Sequence, residues 1–316
     1  MSLFSSHMFS QAVGMFISET HTEAVTWQFT VEKLYKQGRT KYQEYQICDL
    51  PRFGKTLFLD YNIQSSLMDE WIYHECMVHP AMTLHPNPRK VVICGGGEGA
   101  TLRDALAHST VENAVMIDID RELIDMVRED MPEWHQGAFD DPRTEMVYED
   151  ARQTLEDRKG HGYDVILSDL PNPHEEGPSQ FLFTREYFQI CADALAEDGI
   201  FAMQAGSANL NYPECLVSCI TTLESMKETF PFVVGYYGIV TTFMMPWGFV
   251  LASKKFDPEL MTPEVIEERL RARGVETRYF TPRFAKSILT LPDYLLEAKE
   301  RSGRVLTDAE PFVWTA

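Results

Sequence analysis

The feature that most constrains the fold is a change of texture at Lys90. From there the apolar runs KVVIC, AVMIDID, TEMVYED and YDVILSD alternate with the helix-like segments ATLRDALAH and RELIDMVREDM. Near-continuous apolar runs mark strands buried on both faces, and parallel strands need helical crossovers. The alternation therefore predicts an α/β fold with a doubly wound parallel sheet. GIFAMQAG, FVVGYYGIV and GFVLASK predict later strands, the last two as antiparallel neighbours. Upstream, residues 26–70 mix aromatic and β-branched residues with turn signals at QGR, RFGK and DYN, which predicts a small antiparallel sheet. MDEWIYHECMVHPAMTL has helical spacing, with Met68, Ile72, Met77 and Val78 among its apolar positions, and HPNPRK breaks it. The expected organisation is a β-rich domain with its connecting helix over 1–84 and a second domain over 85–316.

Composition narrows the partners. Hydrophobic residues make up 44% of 316, enough for a sizeable core. With 48 acidic against 28 basic residues the net charge is -20, which disfavours nucleic acid and anionic membranes and leaves room for cationic small molecules. Of the six cysteines, none forms a C-x-x-C pair and several sit in apolar runs, so they read as ordinary thiols in a reducing compartment, not as disulfides or a zinc site. The N-terminal segment lacks a basic leader, and no apolar run reaches the length of a membrane span. A cytoplasmic chain is expected.

The strongest local signal is VVICGGGEGATLRDAL. A buried strand runs into Gly95-Gly96-Gly97-Glu98-Gly99-Ala100 and opens a helix. Glycines there permit close backbone approach to a ligand, and the helix start offers free N–H groups. Asp118 follows Gly97 by 21 residues, the distance at which a carboxylate grips ribose hydroxyls. Asp120 lies beside it, Asp150 ends the third strand and Asp169 the fourth. The carboxyl edge of such a sheet is where ligands bind. The bland reading for each acid is a helix N-cap. Glu98 within a G-x-G-x-G loop would repel a pyrophosphate and suits an adenosyl sulfonium, which argues against a nicotinamide cofactor.

Longer stretches carry a resemblance. LDYNIQSSLMDEWIYHECMVHPAM, HPNPRKVVICGGGEGATLRDALAHSTVENAVMIDID, YDVILSDLPNP and GPSQFLFTREYF resemble the polyamine aminopropyltransferases, the spermidine synthase family. MPEWHQGAFDDPR looks like the thermophilic bacterial branch that accepts agmatine or triamines. The resemblance implies a small antiparallel β domain followed by a Rossmann-like, methyltransferase-like domain, assembled as a homodimer or homotetramer. It implies transfer of the aminopropyl group of decarboxylated S-adenosylmethionine to an amine, releasing 5′-methylthioadenosine, with no metal and no further cofactor. By position, Asp169 matches the catalytic base. Gln43, Gln64, Gly95, Gly97, Glu98, Gly99, Asp118 and Asp150 match the donor site, and Tyr73, His74, Asn172, Gln204 and Phe243 the acceptor site.

The residues agree with that chemistry. An amine arrives protonated, with a pKa near 10, and a base must take its proton as it attacks the methylene beside the sulfonium. Carboxylates also hold cationic substrates. Plainer readings stand beside these: His74 as a satisfied core histidine, His135 without a nameable partner, and Met244, Met245 and Trp247 as core. The chain departs from the family at the fourth strand. Many relatives carry a second acid where this chain has Asn172, and the tyrosine before their GF strand is not evident, Phe243 lying nearby. An amide loses the charge-assisted part of a contact to an ammonium, on the order of 1–2 kcal/mol. The expected acceptor, among putrescine, agmatine and a triamine such as spermidine, is therefore not simply putrescine: a longer amine, such as spermidine or agmatine, can place its distal charge on Glu175, Glu176 or another acid, with HEEGPSQ as a gate. The rival readings are an S-adenosylmethionine-dependent methyltransferase and a catalytically silent polyamine-binding homologue.

Overall fold

The structure is a computed structural model that describes residues 14–22, 25–173 and 178–314. Contacts divide it into two units: one holds the described residues up to Arg39 and Gln43–Met68, the other Thr40–Tyr42 and the described residues from Asp69 on.

In the first unit β1 (Met15–Thr22) and β2 (Val25–Val31) pair antiparallel. A second sheet runs in sequence order through β3 (Lys33–Arg39), β4 (Glu44–Leu50), β5 (Gly54–Leu59) and β6 (Asn62–Ser66), every pair antiparallel. Asp60 and Tyr61, both at positive φ (46° and 63°), form the two-residue turn between β5 and β6, as hairpin twist requires. Phe29 of β2 meets Phe58 of β5 edge-on at 5.5 Å over a core that includes Ile47 and Leu57.

The second unit opens with α1 (Glu70–Leu84), buried from His74 onward. Of the expected apolar positions, Met77 and Val78 are buried, Ile72 is half-buried, and Met68 lies outside the helix and is exposed. Pro80 lacks an N–H and so frees the Cys76 carbonyl, which instead accepts the Tyr236 hydroxyl at 2.9 Å. Then follow β7 (Lys90–Gly95), α2 (Ala100–Ala107), β8 (Asn113–Ile117), α3 (Arg121–Asp130), α4 (Pro132–His135), β9 (Thr144–Val147), α5 (Ala151–Asp157) and β10 (Tyr163–Asp169). The chain continues through α6 (Arg185–Ala194), β11 (Leu195–Ser207), α7 (Glu214–Glu224), β12 (Phe232–Val240) and β13 (Met245–Ser253) to α8 (Pro263–Arg273), α9 (Pro282–Ile288) and α10 (Asp293–Ser302).

These strands form one sheet in the order β12-β13-β11-β10-β7-β8-β9. From β11 to β9 every pair is parallel, while β13 is antiparallel to both β11 and β12. The expected strands and the expected antiparallel end are thus present. After β7 the chain builds outward to β8 and β9, then returns to the other side of β7 with β10. The switch point between β7 and β10 is where such sheets bind ligands at their carboxyl ends, and it sets Gly95 against Asp169.

Candidate active site

At this switch point the glycine loop fits against the end of β10 so closely that side chains are excluded. A Cβ on Gly95 would fall 2.3 Å from the Asp169 carbonyl oxygen, and Gly96 N–H donates to that oxygen at 2.9 Å. Gly99, at φ +81°, caps α2, and a Cβ there would meet His135 and Phe139 at 2.6 Å. His135 therefore has a packing role. Its ring stacks on Phe139 at 4.8 Å, and its Nδ1 accepts Gly137 N–H at 3.0 Å.

Asp169 is the last residue of β10 and is 8% exposed. It caps no helix. Instead the Tyr73 hydroxyl donates to its Oδ1 at 2.5 Å and the Thr101 hydroxyl to its Oδ2 at 2.5 Å. Burial and the nearby Glu98 push its pKa up, against the opposing pull of His74, Thr101 and Tyr73. Burial and the Asp169 charge hold the Tyr73 phenol well above its usual range, so it stays a donor. Thr101 was not foreseen. Its signal is its place in the first turn after the glycine loop.

Beside Asp169 runs a chain of alternating charges. His74 is fully buried, its Nδ1 2.9 Å from Glu70 Oε2 and its Nε2 3.0 Å from Glu98 Oε1. Arg103 closes the far end, with Nη2 3.1 Å from Glu70 Oε2 and Nε 2.8 Å from Asp104. His74 is no ordinary core histidine: two carboxylate acceptors require both ring nitrogens to carry protons. Burial alone would lower its pKa, but the bonds to Glu70 and Glu98 outweigh that and raise it to about 10. Burial likewise opposes the Glu70 charge, yet His74 and Arg103 hold Glu70 at about 2. Glu70 and Arg103 were also not foreseen, though Glu70 stands four residues before His74 on one helix face.

The acids beyond β8 and β9 divide. Asp120 caps α3 through Leu123 N–H at 3.1 Å and accepts Thr40 Oγ1 at 2.6 Å. Asp150 lies three residues past the end of β9, exposed, and caps α5 through Gln153 N–H at 2.9 Å. Asp118 caps nothing. It accepts Asp120 N–H at 2.8 Å, and a Cβ on Gly97 would sit 3.2 Å from its Oδ2. Burial, with Asp120, Glu98 and Asp169 nearby, pushes Asp118 up to about 7.

On the other side of Asp169 the groups are neutral. Gln204 Nε2 donates to Leu170 O at 2.6 Å and reaches Asn172 Oδ1 at 3.4 Å, while its Oε1 accepts Gly206 N–H at 2.9 Å and Trp247 Nε1–H at 3.2 Å. Phe243 lies 4.7 Å from the Trp247 ring and 5.8 Å, edge-on, from Tyr73. Asp69, just before α1, anchors this segment by accepting Thr242 N–H at 2.7 Å and the Thr242 hydroxyl. The reading of Met244, Met245 and Trp247 as core holds for Met245 alone. Met244 is 48% exposed at φ 56°, and Trp247 is half-buried with its indole N–H on Gln204.

Gln43 and Gln64 lie in the first unit. Gln43 is half-buried just before β4, and Gln64 donates to Asn62 O at 3.2 Å. The positions expected to take a distal charge, Glu175 and Glu176, lie outside the described residues, as does most of the HEEGPSQ stretch.

Known proteins resemble the chain along most of its length. Residues 70–262 match the spermine/spermidine synthase domain, and residues 15–66 the spermidine synthase tetramerisation domain. Polyamine aminopropyltransferase 1 of Hyperthermus butylicus is 47% identical over 255 residues, 80% of this chain and 86% of that one. The polyamine aminopropyltransferase of Pyrobaculum calidifontis is 42% identical over 264 residues, 83% and 90% of the two chains. A crystal structure of spermidine synthase in complex with the transition state analogue AdoDATO is 30% identical, with a TM-score of 0.81 over 91% of this chain and 95% of that one. The chain belongs to the spermine/spermidine synthase family, as a transferase that moves an aminopropyl group onto an amine.

Proposed function

We propose that the acceptor is an amine longer than putrescine, such as spermidine or agmatine, that the donor is decarboxylated S-adenosylmethionine, and that Asp169 is the base. The observation that carries this reading is the contrast around Asp169: carboxylates on one side, the amide of Asn172 and aromatic rings on the other.

The acceptor nitrogen attacks the methylene carbon bonded to sulfur. The carbon–sulfur bond breaks, its electron pair stays on sulfur, and methylthioadenosine leaves as a neutral thioether. One proton of the acceptor's ammonium passes to Asp169, which frees the nitrogen lone pair for the attack. An elevated pKa makes that carboxylate a better proton acceptor, and the two hydroxyls fix its oxygens for the transfer. Glu98 takes the donor's primary ammonium, Asp118 the ribose hydroxyls and Asp150 the adenine amino group. Gly95, Gly97 and Gly99 let the backbone approach the nucleoside. His74, which the resemblance sets on the acceptor side, spends both ring nitrogens on Glu70 and Glu98. Asn172, Gln204, Phe243 and Tyr73 border the acceptor. The match of residues 15–66 supports a homotetramer of this chain.

Nothing in the reaction calls on a metal or a further cofactor. Among the described residues, no helix is long and apolar enough to cross a membrane. The test is product analysis by mass spectrometry with purified enzyme, the decarboxylated donor and a panel of putrescine, cadaverine, agmatine and spermidine. Methylthioadenosine with a longer amine preferred supports the reading. S-adenosylhomocysteine formed from the intact donor would make the protein a methyltransferase instead, and no product with any donor would mark a silent homologue.

A further inference from the structure

We propose that His74 is a positioning residue: a fixed cation, clamped from behind by Glu70 and Arg103, that aims the Glu98 carboxylate and keeps Asp169 ionised beside it. The proposal rests on aminopropyl transfer with Asp169 as base and adds a device that such a site needs.

The need is electrostatic. A ring nitrogen of His74 and a carboxylate oxygen each of Glu98 and Asp169 all lie within 4.8 Å of one another. Two carboxylates that close, in a site shielded from water, share a proton unless a cation separates them. A shared proton would disable Asp169 as a base and weaken Glu98 as a partner for an ammonium. His74 supplies the cation. Its position is over-determined: both ring nitrogens are engaged and its side chain is 1% exposed. Glu70 alone would be a third buried carboxylate, but Arg103 offsets it through two guanidinium nitrogens and also holds Trp134 O at 2.8 Å. The order Arg103, Glu70, His74, Glu98 thus alternates sign from α2 through α1 to the glycine loop.

The other charged groups around α1 do not compete for His74. Glu75 accepts the backbone N–H groups of Arg278, Tyr279 and Phe280. His79 faces His108 at 3.1 Å. Arg269 and Arg273 of α8 end on carbonyls of residues 82–86. Tyr73 faces Asp169 as a neutral phenol, and Asp104 is taken by Arg103. Asp118, pushed up to about 7, adds negative charge near Asp169 as pH rises through that value, and there increases the need for the cation.

The test uses the full chain and three variants, His74→Gln, His74→Leu and Glu70→Gln, with kcat and KM measured across pH and folding checked by thermal melting. Gln at 74 keeps a donor for Glu98 and removes the charge. The expected result for His74→Gln is an acid limb of kcat moved upward by about one to three pH units, the scale of a neighbouring unit charge, with activity partly recovered at high pH. His74→Leu also loses the bond to Glu98, so its KM for the donor rises further. Glu70→Gln leaves His74 in place but loosens its proton, so its acid limb moves upward as in His74→Gln, by a smaller amount. Folded His74→Gln and Glu70→Gln enzymes whose profiles parallel the parent would overturn the proposal, because a merely structural histidine lowers activity without moving the limbs. Should His74→Gln fail to fold, the acid limb of Glu70→Gln decides alone. Absence of methylthioadenosine from the parent enzyme would instead overturn the reading of the reaction.

Discussion

The two sides of Asp169 are built from different chemistry. On one side, Glu98, His74, Glu70 and Arg103 alternate in sign, with Asp118 pushed up to about 7 close by. On the other, Asn172, Gln204, Trp247 and Phe243 make a neutral network of amides and rings. Charge in a shielded site acts on protonation and on cationic groups, whereas amides and rings discriminate by shape and stem length. The contrast teaches that changes on the charged side should alter rate and pH dependence, and changes on the neutral side should alter which amine is used.

The largest effect tests the boundary itself. Asp169→Asn removes the proposed base and keeps the volume, so kcat should fall by about 10²- to 10⁴-fold while the donor still binds, measured by calorimetry beside steady-state rates. Near-normal kcat would move the base elsewhere. Gly95→Ala should come next, since its methyl group would fall 2.3 Å from the Asp169 carbonyl at a φ of +77°. Stability should drop by about 1–3 kcal/mol in denaturant melts, with activity lost in parallel. A fully active, stable alanine variant would mean that the loop and β10 can part.

On the neutral side, Asn172→Asp should shift the kcat/KM ratio toward putrescine by about tenfold, matching a charge-assisted bond of about 1–2 kcal/mol. An unchanged ratio would remove Asn172 from the acceptor's surroundings.

The smallest effect is on stability. Asp118 has its pKa raised in the folded chain, from 3.8 to about 7, so its ionisation opposes folding. The stability held while it is protonated is complete below its unfolded value and is lost as pH rises from 3.8 to about 7. Asp118→Asn should flatten the pH dependence of melting in that window, and a slope as steep as the parent's would contradict the raised value.

Much of the frame was legible in the chain. Buried parallel strands announce themselves as apolar runs, and a glycine loop followed by acids at strand ends marks the edge where ligands sit. Asp169 and Glu98 stand out for that reason. Glu70, Thr101 and Arg103 were hidden because their roles come from tertiary contact: a first-turn threonine and an exposed-looking Glu/Arg pair carry no local mark. Two acids were legible as caps as well as ligands, and Asp120 and Asp150 do cap helices. The stretch around Met244 reads as core because it is apolar, yet Met244, at a positive φ, is exposed, and Trp247 is half-buried with its indole N–H on Gln204. Strand β1 escaped notice for a related reason: MFISETHT turns polar halfway, and its pairing with β2 lies outside its own pattern.

The central claim is that a charged side drives transfer while a neutral side chooses the amine. Its most direct measurement is a competition assay: one reaction containing the decarboxylated donor and equal concentrations of putrescine, agmatine and spermidine, with products resolved by mass spectrometry. The expected result is methylthioadenosine together with aminopropylated agmatine or spermidine as the main amine product. A wide margin in favour of aminopropylated putrescine would contradict it.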